Sequence, residues 1–321
     1  MRIFGFGALN LDLIYEVDDL RSISARRGRL EPGEELFGSD DEFDALLEQL
    51  RRVAVLKSRS GGGSAANSLV ALGRMGFPTA FIGKVGEDEE GDFLLGELRP
   101  VRTDLIRRQG RSGICLVVLD RHHDRFLFVK GNANNTLTQD DIGWDFLQDI
   151  SWVHLTSFIS ERPLEAQKFF LSRLDATVKV SLDPGQIYAK KGLKEMAPLI
   201  RRSHVLFVTE KEIEILTGQD LTPGTQMLLD MGPSALVCKR GSRGSRVFRR
   251  QEDFEAPATL VEVVDNTGAG DVYNAGFLAG LLLGKSLQES ARFATQVASK
   301  SVTGYGRSCY PTAEDLRRFF G

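Results

Sequence analysis

Cysteine is scarce. The 321 residues contain three, Cys115, Cys238 and Cys309, odd in number and far apart. That excludes a disulfide framework and any paired-cysteine metal spacing. Cys115 and Cys238 fall in apolar, strand-like runs, where a thiol behaves as a small buried hydrophobe. Histidine is nearly as sparse, at four, and the one adjacent pair, His122-His123, lies in the charged turn Asp120–Asp124. With no partner ligands nearby in sequence, that pair reads as a hairpin tip and not as a metal site. Neither sign of charge is in excess: 41 basic residues face 44 acidic ones, for a net charge of −3. The broad basic surface of nucleic-acid or anionic-membrane binding is therefore missing. The basic doublets Arg107-Arg108 and Arg201-Arg202 read as solvated helix ends. Long apolar runs are lacking too. The longest, Ala275–Leu283, falls far short of the roughly 20 residues of a membrane span. The stretch Met1–Gly7 is broken by glycine and followed by Asp12, Glu16 and Asp18, unlike a secretory leader. A reducing, cytoplasmic setting is the expectation. No internal repeat or low-complexity tract is visible.

What is present is ordinary globular composition, 42% hydrophobic and 26% charged, which excludes disorder of the whole. Short apolar runs alternate with amphipathic segments. Strands are expected at 3–9, 79–83, 152–156, 178–182, 205–208, 235–238 and 245–248. Helices are expected at 64–75, 163–174, 193–200, 211–216, 269–283 and 287–302. Such alternation predicts an α/β chain, a single domain over 1–321 with a mostly parallel central sheet and helices on both faces. Ligands bind such sheets beyond the carboxyl ends of their strands. One stretch, 18–60, breaks the rhythm. It holds Pro32-Gly33 and an amphipathic helix over 40–52 with Phe43, Leu46, Leu47 and Leu50 on one face. With a strand over 11–17 and a hairpin over 113–129, it reads as a small β-rich lid, formed by about 11–60 and 113–130. A surface decoration with no part in closure is the alternative.

Three segments carry chemistry. In Val264-Asp265-Asn266-Thr267-Gly268-Ala269-Gly270-Asp271 the glycines allow close approach of an anion. The helix that follows turns its first N–H groups and its positive dipole end outward. Positioned amides of this kind suit the charge on a phosphoryl group in transfer. Asp271, in the first turn, is placed to accept a proton from an attacking hydroxyl, a step worth roughly 10²–10⁴-fold. The shorter string GAGD alone would mark no more than a helix start. Small residues Ala275, Gly276 and Gly280 along that helix predict tight packing. Next, Gly61-Gly62-Gly63-Ser64-Ala65-Ala66-Asn67 opens a helix and can grip hydroxyls through backbone N–H groups and the Asn67 amide. Read alone, it serves equally as a linker ending in an N-cap. It is no Walker A loop, since no Gly-Lys-Ser/Thr follows. In Gly7–Asp12, Asn10 and Asp12 are two apart and share one side of an extended segment. They suit neighbouring hydroxyls, or simply a turn. No G-x-G-x-x-G follows the first strand, which counts against dinucleotide chemistry.

The two glycine segments, in this order and separation, resemble the paired motifs of the PfkB carbohydrate kinase family, also called ribokinase-like. GGGSAANSLVALGRMG is similar to the N-terminal motif and DNTGAGDVYNAGFL to the C-terminal one, with Asn266 where Pro, Thr or Ser is commoner. GALNLD, GNANNTLT, SLDPG, EILTG and KRGSRG echo further family blocks. The resemblance implies a ribokinase-like fold and transfer of the γ-phosphate of ATP, with Mg²⁺, to a hydroxyl of a small sugar or nucleoside. It implies Asp271 as general base and Gly268, Ala269 and Gly270 as the anion hole. Asn10, Asp12, Gly62, Gly63 and Asn67 would hold the acceptor, and Lys239, Gly241 and Gly244 would lie along the nucleotide. The family's Asn-x-x-Glu block reads Thr209-Glu210-Lys211-Glu212 here. Glu212 matches and would hold the metal through water, whereas Thr209 stands where the family has Asn.

The segment LEPGEELFGSDDEFDALLEQL resembles the lid insertion of adenosine kinases more than the shorter lid of ribokinases. Phe158 falls where adenosine kinases carry an aromatic near the base. The lean is to a nucleoside such as adenosine. Ribose, fructose or 2-keto-3-deoxygluconate are the alternatives, and phosphorylated sugars fit less well for want of a Lys/Arg cluster. A non-catalytic nucleotide or sugar sensor on the same fold is the competing class, which the intact Asp271 opposes. No nucleic-acid or membrane partner is expected, and a homodimer is left open.

Overall fold

The computed structural model describes residues 2–25, 28–31, 33–121, 125–144, 147, 150–250 and 252–321. Pro32, His122, His123 and Asp124 lie outside the described residues, and with them the expected hairpin tip.

Buried β-branched and aromatic runs form a sheet of nine strands. From one edge their order is Asp253–Ala256, Ser245–Phe248, Ala235–Lys239, Val205–Thr209, Lys179–Asp183, Ile150–Thr156, Arg2–Phe6, Thr79–Val85 and Ile106–Arg108. Pairing is parallel from Ala235–Lys239 through to Ile106–Arg108, and antiparallel for the two strands at the other edge. Successive side chains leave opposite faces. Val205 and Phe207 enter the core shared with helices Ser64–Arg74, Ala269–Leu282 and Leu287–Ser301. Leu206 and Val208 enter the other, with helices Glu161–Arg173, Leu193–Arg202 and Leu221–Met231. Apolar burial on both faces is what a parallel sheet under two helical layers requires.

A second sheet has the strand order Glu35–Phe37, Arg125–Lys130, Gly113–Asp120, Asn10–Val17 and Val55–Gly62. Its outer face is covered by the helix Asp40–Val53. That helix starts with a capping box between Ser39 and Glu42 and buries Phe43, Leu46 and Leu50 against Leu116, Val118, Phe126 and Phe128. Leu47 is only partly buried against the same cluster. The alternate residues Cys115, Val117 and Val129 form the inner face.

Two sequence readings need correction, and one strand was not expected. The first strand stops at Phe6, and Asn10 opens a separate strand in the second sheet. Arg107-Arg108 sit in the edge strand Ile106–Arg108, where an exposed backbone edge tolerates charge, and not at a helix end. Residues 55–62, for which no strand was expected, pair antiparallel with Asn10–Val17. Val55 and Leu56 point to solvent there, so no inward/outward alternation marks the strand.

The small residues of helix Ala269–Leu282 do pack tightly. A Cβ at Gly276 would lie 2.8 Å from the Cα of Ala294 and 2.6 Å from Val297 Cγ2. Gly276→Ala should therefore destabilise the chain by roughly 1–3 kcal/mol through overpacking. Gly96→Ala, where nothing lies within 4 Å, should stabilise it by roughly 0.4–1 kcal/mol through the unfolded state. Urea denaturation of both variants checks the opposite signs.

Candidate active site

Between the carboxyl ends of the central strands and the inner face of the second sheet lies a cleft of about 550 Å³. Asn10, Asp12, Gly63, Asn67, Phe158, Thr209, Glu212, Lys239, Gly241, Gly268, Ala269, Gly270 and Asp271 all line it. Segments some 260 residues apart are thus brought to one cavity. Gly62 and Gly244 do not line it. A Cβ at Gly62 would fall on the Asp12 carboxylate, so its absence is what lets Asp12 lie flat against the strand. Gly244, at φ +82°, turns the hairpin that follows Lys239, where a Cβ would lie 2.1 Å from the Ala256 carbonyl oxygen and 2.6 Å from the Ala258 nitrogen.

Gly268 caps the helix Ala269–Leu282 in the left-handed region, at φ +76° and ψ 0°. The first bond of the helical ladder runs from Val272 N–H to Gly268 O at 3.0 Å, so Gly270 and Asp271 contribute amides from before that ladder begins. The Ala269 N–H is turned instead to Asn266 O, at 3.3 Å. Asp265 braces the turn by accepting from Thr267 N–H at 2.8 Å and from Gly306 N–H at 3.0 Å. The Thr267 hydroxyl is buried without a hydrogen-bond partner among the described residues and lines the cleft. Asp271 accepts from the Asn67 amide, Nδ2 to Oδ2, at 2.9 Å. Burial pushes its carboxyl up to about 7, and the Asn67 hydrogen bond opposes that rise. Asp12, 9% exposed, is likewise pushed up to about 7 by burial, with the Arg307 charge pulling the other way.

The opposite charge balance holds around Lys239. This ammonium, at a strand end, pairs with the Asp183 carboxylate, which also accepts from Asn274 Nδ2 at 2.6 Å. Burial alone would raise Asp183, but Lys239 and the two hydrogen bonds hold it below the usual carboxylate range. Glu212 is not the exposed helix acid that a lone residue suggests. It is 6% exposed, raised by burial and by the nearby Asp183. It closes a capping box: Thr209 N–H donates to Glu212 Oε2 at 2.8 Å, and Glu212 N–H to Thr209 Oγ1 at 3.2 Å. Thr209 thus uses its hydroxyl to cap a helix, and the position lacks an amide to extend toward a ligand. Phe158 reaches the cleft wall but is 1% exposed, edge-on to Phe6 at 6.0 Å, and belongs chiefly to the core.

Several site residues were not picked out from sequence. Asp183 ends a central strand, and that position was its signal. Asn134 holds Asn10 through Nδ2 to Oδ1 at 3.0 Å and is itself fixed to the Leu9 backbone at 2.8 and 2.9 Å. Arg125 brings a cation to the lining, next to Glu34 and Glu35. It opens a strand directly after the charged sequence 120–124, so one more charge there is not distinctive.

A family profile described as pfkB family carbohydrate kinase matches residues 42–313. An uncharacterized sugar kinase from Archaeoglobus fulgidus is 37% identical over 243 residues, 74% of this chain and 96% of its own length. Among solved structures, the adenosine kinase from Sinorhizobium meliloti superposes with a TM-score of 0.88 at 21% identity, covering 98% of each chain. A putative ribokinase II from E. coli, in complex with ATP and Mg²⁺, does so with a TM-score of 0.80 at 19% identity, covering 99% of this chain and 98% of its own. These two likenesses establish the ribokinase-like fold. No helix among the described residues is long and apolar enough to cross a membrane. The glycine turn before Asp271, the cleft it opens on and the family match together place the chain in the pfkB family of carbohydrate kinases, phosphotransferases acting on a hydroxyl of a sugar or nucleoside.

Proposed function

We propose that this chain transfers the γ-phosphate of ATP to a primary hydroxyl of a nucleoside such as adenosine, with Asp271 as general base. The observation that carries this reading is the placement of the Asp271 carboxylate at the lip of the Gly268–Gly270 turn, inside the cleft. In-line transfer needs a hydroxyl, a carboxylate to take its proton, and donors around the moving phosphoryl group. The amides of Gly270 and Asp271 and the helix dipole supply the donors. A base whose carboxyl titrates near 7 is matched to neutral pH.

The acceptor would bind Asn10, Asp12, Gly63 and Asn67, with Gly62 acting indirectly by making room for Asp12. Support for a nucleoside comes from the inner face of the second sheet. Cys115, Val117, Leu127 and Val129 offer the cleft an apolar wall suited to a base, and Phe158 backs that space from the core. A free sugar makes less use of such a wall. We read the second sheet as a lid whose closure excludes water, so that ATP is not hydrolysed. The nucleotide would lie along Thr209, Lys239 and Gly241, with Gly244 shaping the turn.

Asp183 and Glu212 offer the hard oxygen donors that Mg²⁺ prefers. Mg²⁺ keeps several waters and leans on phosphate oxygens. No cluster of three or more His, Cys, Asp or Glu able to cage a metal occurs among the described residues. That fits an ion held by Glu212 and Asp183 through water. When bound, it would neutralise charge on the phosphates.

Asp271→Asn should lower kcat by roughly 10²–10⁴-fold with ATP and Mg²⁺; full turnover in a coupled ADP-release assay would remove the assigned base. Because the base must be ionised, kcat/KM of the parent should be level above about pH 7 and fall about tenfold per unit below it. A pH–rate profile flat to pH 5 contradicts this. A screen of adenosine, cytidine, inosine, ribose, fructose and 2-keto-3-deoxygluconate should give the highest kcat/KM with a nucleoside. A preferred free sugar keeps the kinase and overturns the acceptor.

A further inference from the structure

Arg307 lies in the loop after the helix Leu287–Ser301, outside the cleft lining and 5% exposed. Its Nε donates to Asn67 Oδ1 at 3.1 Å, and its Nη1 donates to Glu97 O at 2.9 Å. Its own carbonyl accepts from Arg74 Nη1 at 2.5 Å. The preceding residue, Gly306, is tied through Asp265 to the turn at Thr267. The guanidinium is therefore held from several sides. Its Nη2 has no hydrogen-bond partner among the described residues, a costly state for a buried charge.

A guanidinium has five donors and no acceptor, whereas a primary amide has one end of each kind. Only the oxygen of Asn67 can face Arg307, so the nitrogen must face Asp271. We propose that Arg307 is a positioning residue for phosphoryl transfer: it fixes the orientation of the Asn67 amide so that a donor, never an acceptor, meets the Asp271 carboxylate. The proposal rests on the reading of Asp271 as base. Without Arg307 the amide is free to turn over. Its oxygen would then oppose the ionised carboxylate and favour the protonated acid, which is useless as a base.

Other charged groups face Asp271 from neighbouring strands: Asp183, which raises its carboxyl, and Lys239 and Arg125, which lower it. None of them contacts Asn67 in a way that selects its orientation. Arg307 also acts on Asp12 directly, by charge, alongside Asp265 and Asp271. Asp12 therefore serves as an internal contrast. The effect on Asp271 should pass through Asn67, and the effect on Asp12 should not.

The test is a ¹³C NMR titration of the aspartate carboxyls in the whole chain, with the Asp271 signal assigned by its loss in Asp271→Asn. Arg307→Met and Asn67→Leu should each raise the Asp271 midpoint by about one unit, a tenfold change in proton affinity. The double variant should match Asn67→Leu alone, the non-additivity expected of residues acting as a unit. Asp12 should rise with Arg307→Met in both backgrounds. With ATP, Mg²⁺ and adenosine as the probe acceptor, the acid limb of kcat should move up with Asp271. Arg307→Gln, whose amide can present either end, is the second variant should the Met variant not fold, and the same rise is expected. An unmoved Asp271 midpoint in a folded Arg307 variant, or full additivity in the double variant, overturns the proposal. Turnover surviving Asp271→Asn would sink the base assignment and leave the titration result standing, so the two failures are distinguishable.

Discussion

Asn67 and Asp271 are 204 residues apart, and their hydrogen bond exists only because two helix starts are pressed together. Helix Ser64–Arg74 and helix Ala269–Leu282 share one core cluster with Leu69, Val70, Val272 and Tyr273. Ser68 Oγ donates to the Asp271 carbonyl at 2.9 Å, one residue along from the amide contact. Nothing bulkier than glycine fits at Gly268. A Cβ there would lie 2.9 Å from the Tyr310 hydroxyl and 3.3 Å from Asn67 Nδ2, on a backbone that side chains disfavour. The glycine turn, the Asp271 carboxylate and the Asn67 amide are thus three readouts of one packing constraint.

Burial then divides the carboxylates of the cleft by role. Asp12 and Asp271 lose water and have no salt-bridge partner among the described residues, and both are pushed up to about 7. Asp183 is as buried, yet it is held ionised by Lys239 and Asn274. On the proposed function, two neutral-range acids sit where hydroxyls would bind, and an ion pair whose partners hold each other charged sits where a highly charged nucleotide would bind. Identical chemistry acquires different behaviour from a few ångströms of surroundings.

Much of this was legible in the sequence. Alternating apolar and amphipathic segments announced a parallel sheet between helical layers. The string VDNTGAGD located the helix start, because glycine, a first-turn acid and an outward amide row belong together physically. The two-residue spacing of Asn10 and Asp12 put them on one side of an extended segment but fitted a plain turn as well, and the structure shows that both line the cleft. Residues that act through tertiary contact were not. Arg307 stands in a loop with no periodicity, Arg125 hides in a strand, and Asn134 matters only because the chain returns to Leu9 and Asn10. The helices Glu89–Glu97, Leu221–Met231 and Ala313–Phe320 were also passed over, being short or weakly patterned. Gly62 and Gly244 were recognised as special, but what they shape is the space of their neighbours and not the cleft surface itself.

Only Gly7, Ala8 and Leu9 separate the strand Arg2–Phe6 from the strand Asn10–Val17. Gly7 is packed so closely that a Cβ would come within 2.8 Å of Ala65 Cβ. Asn10 and Asp12 therefore sit on the second sheet beside this short link, while Asp271 sits on the helix packed against the central sheet. On the function proposed above, a change of tilt between the sheets would displace Asn10 and Asp12 relative to Asp271. Because Asn67 stays bonded to Asp271, an acceptor held from both sides, as proposed above, would carry the tilt between the sheets into its own distance from the Asp271 carboxylate.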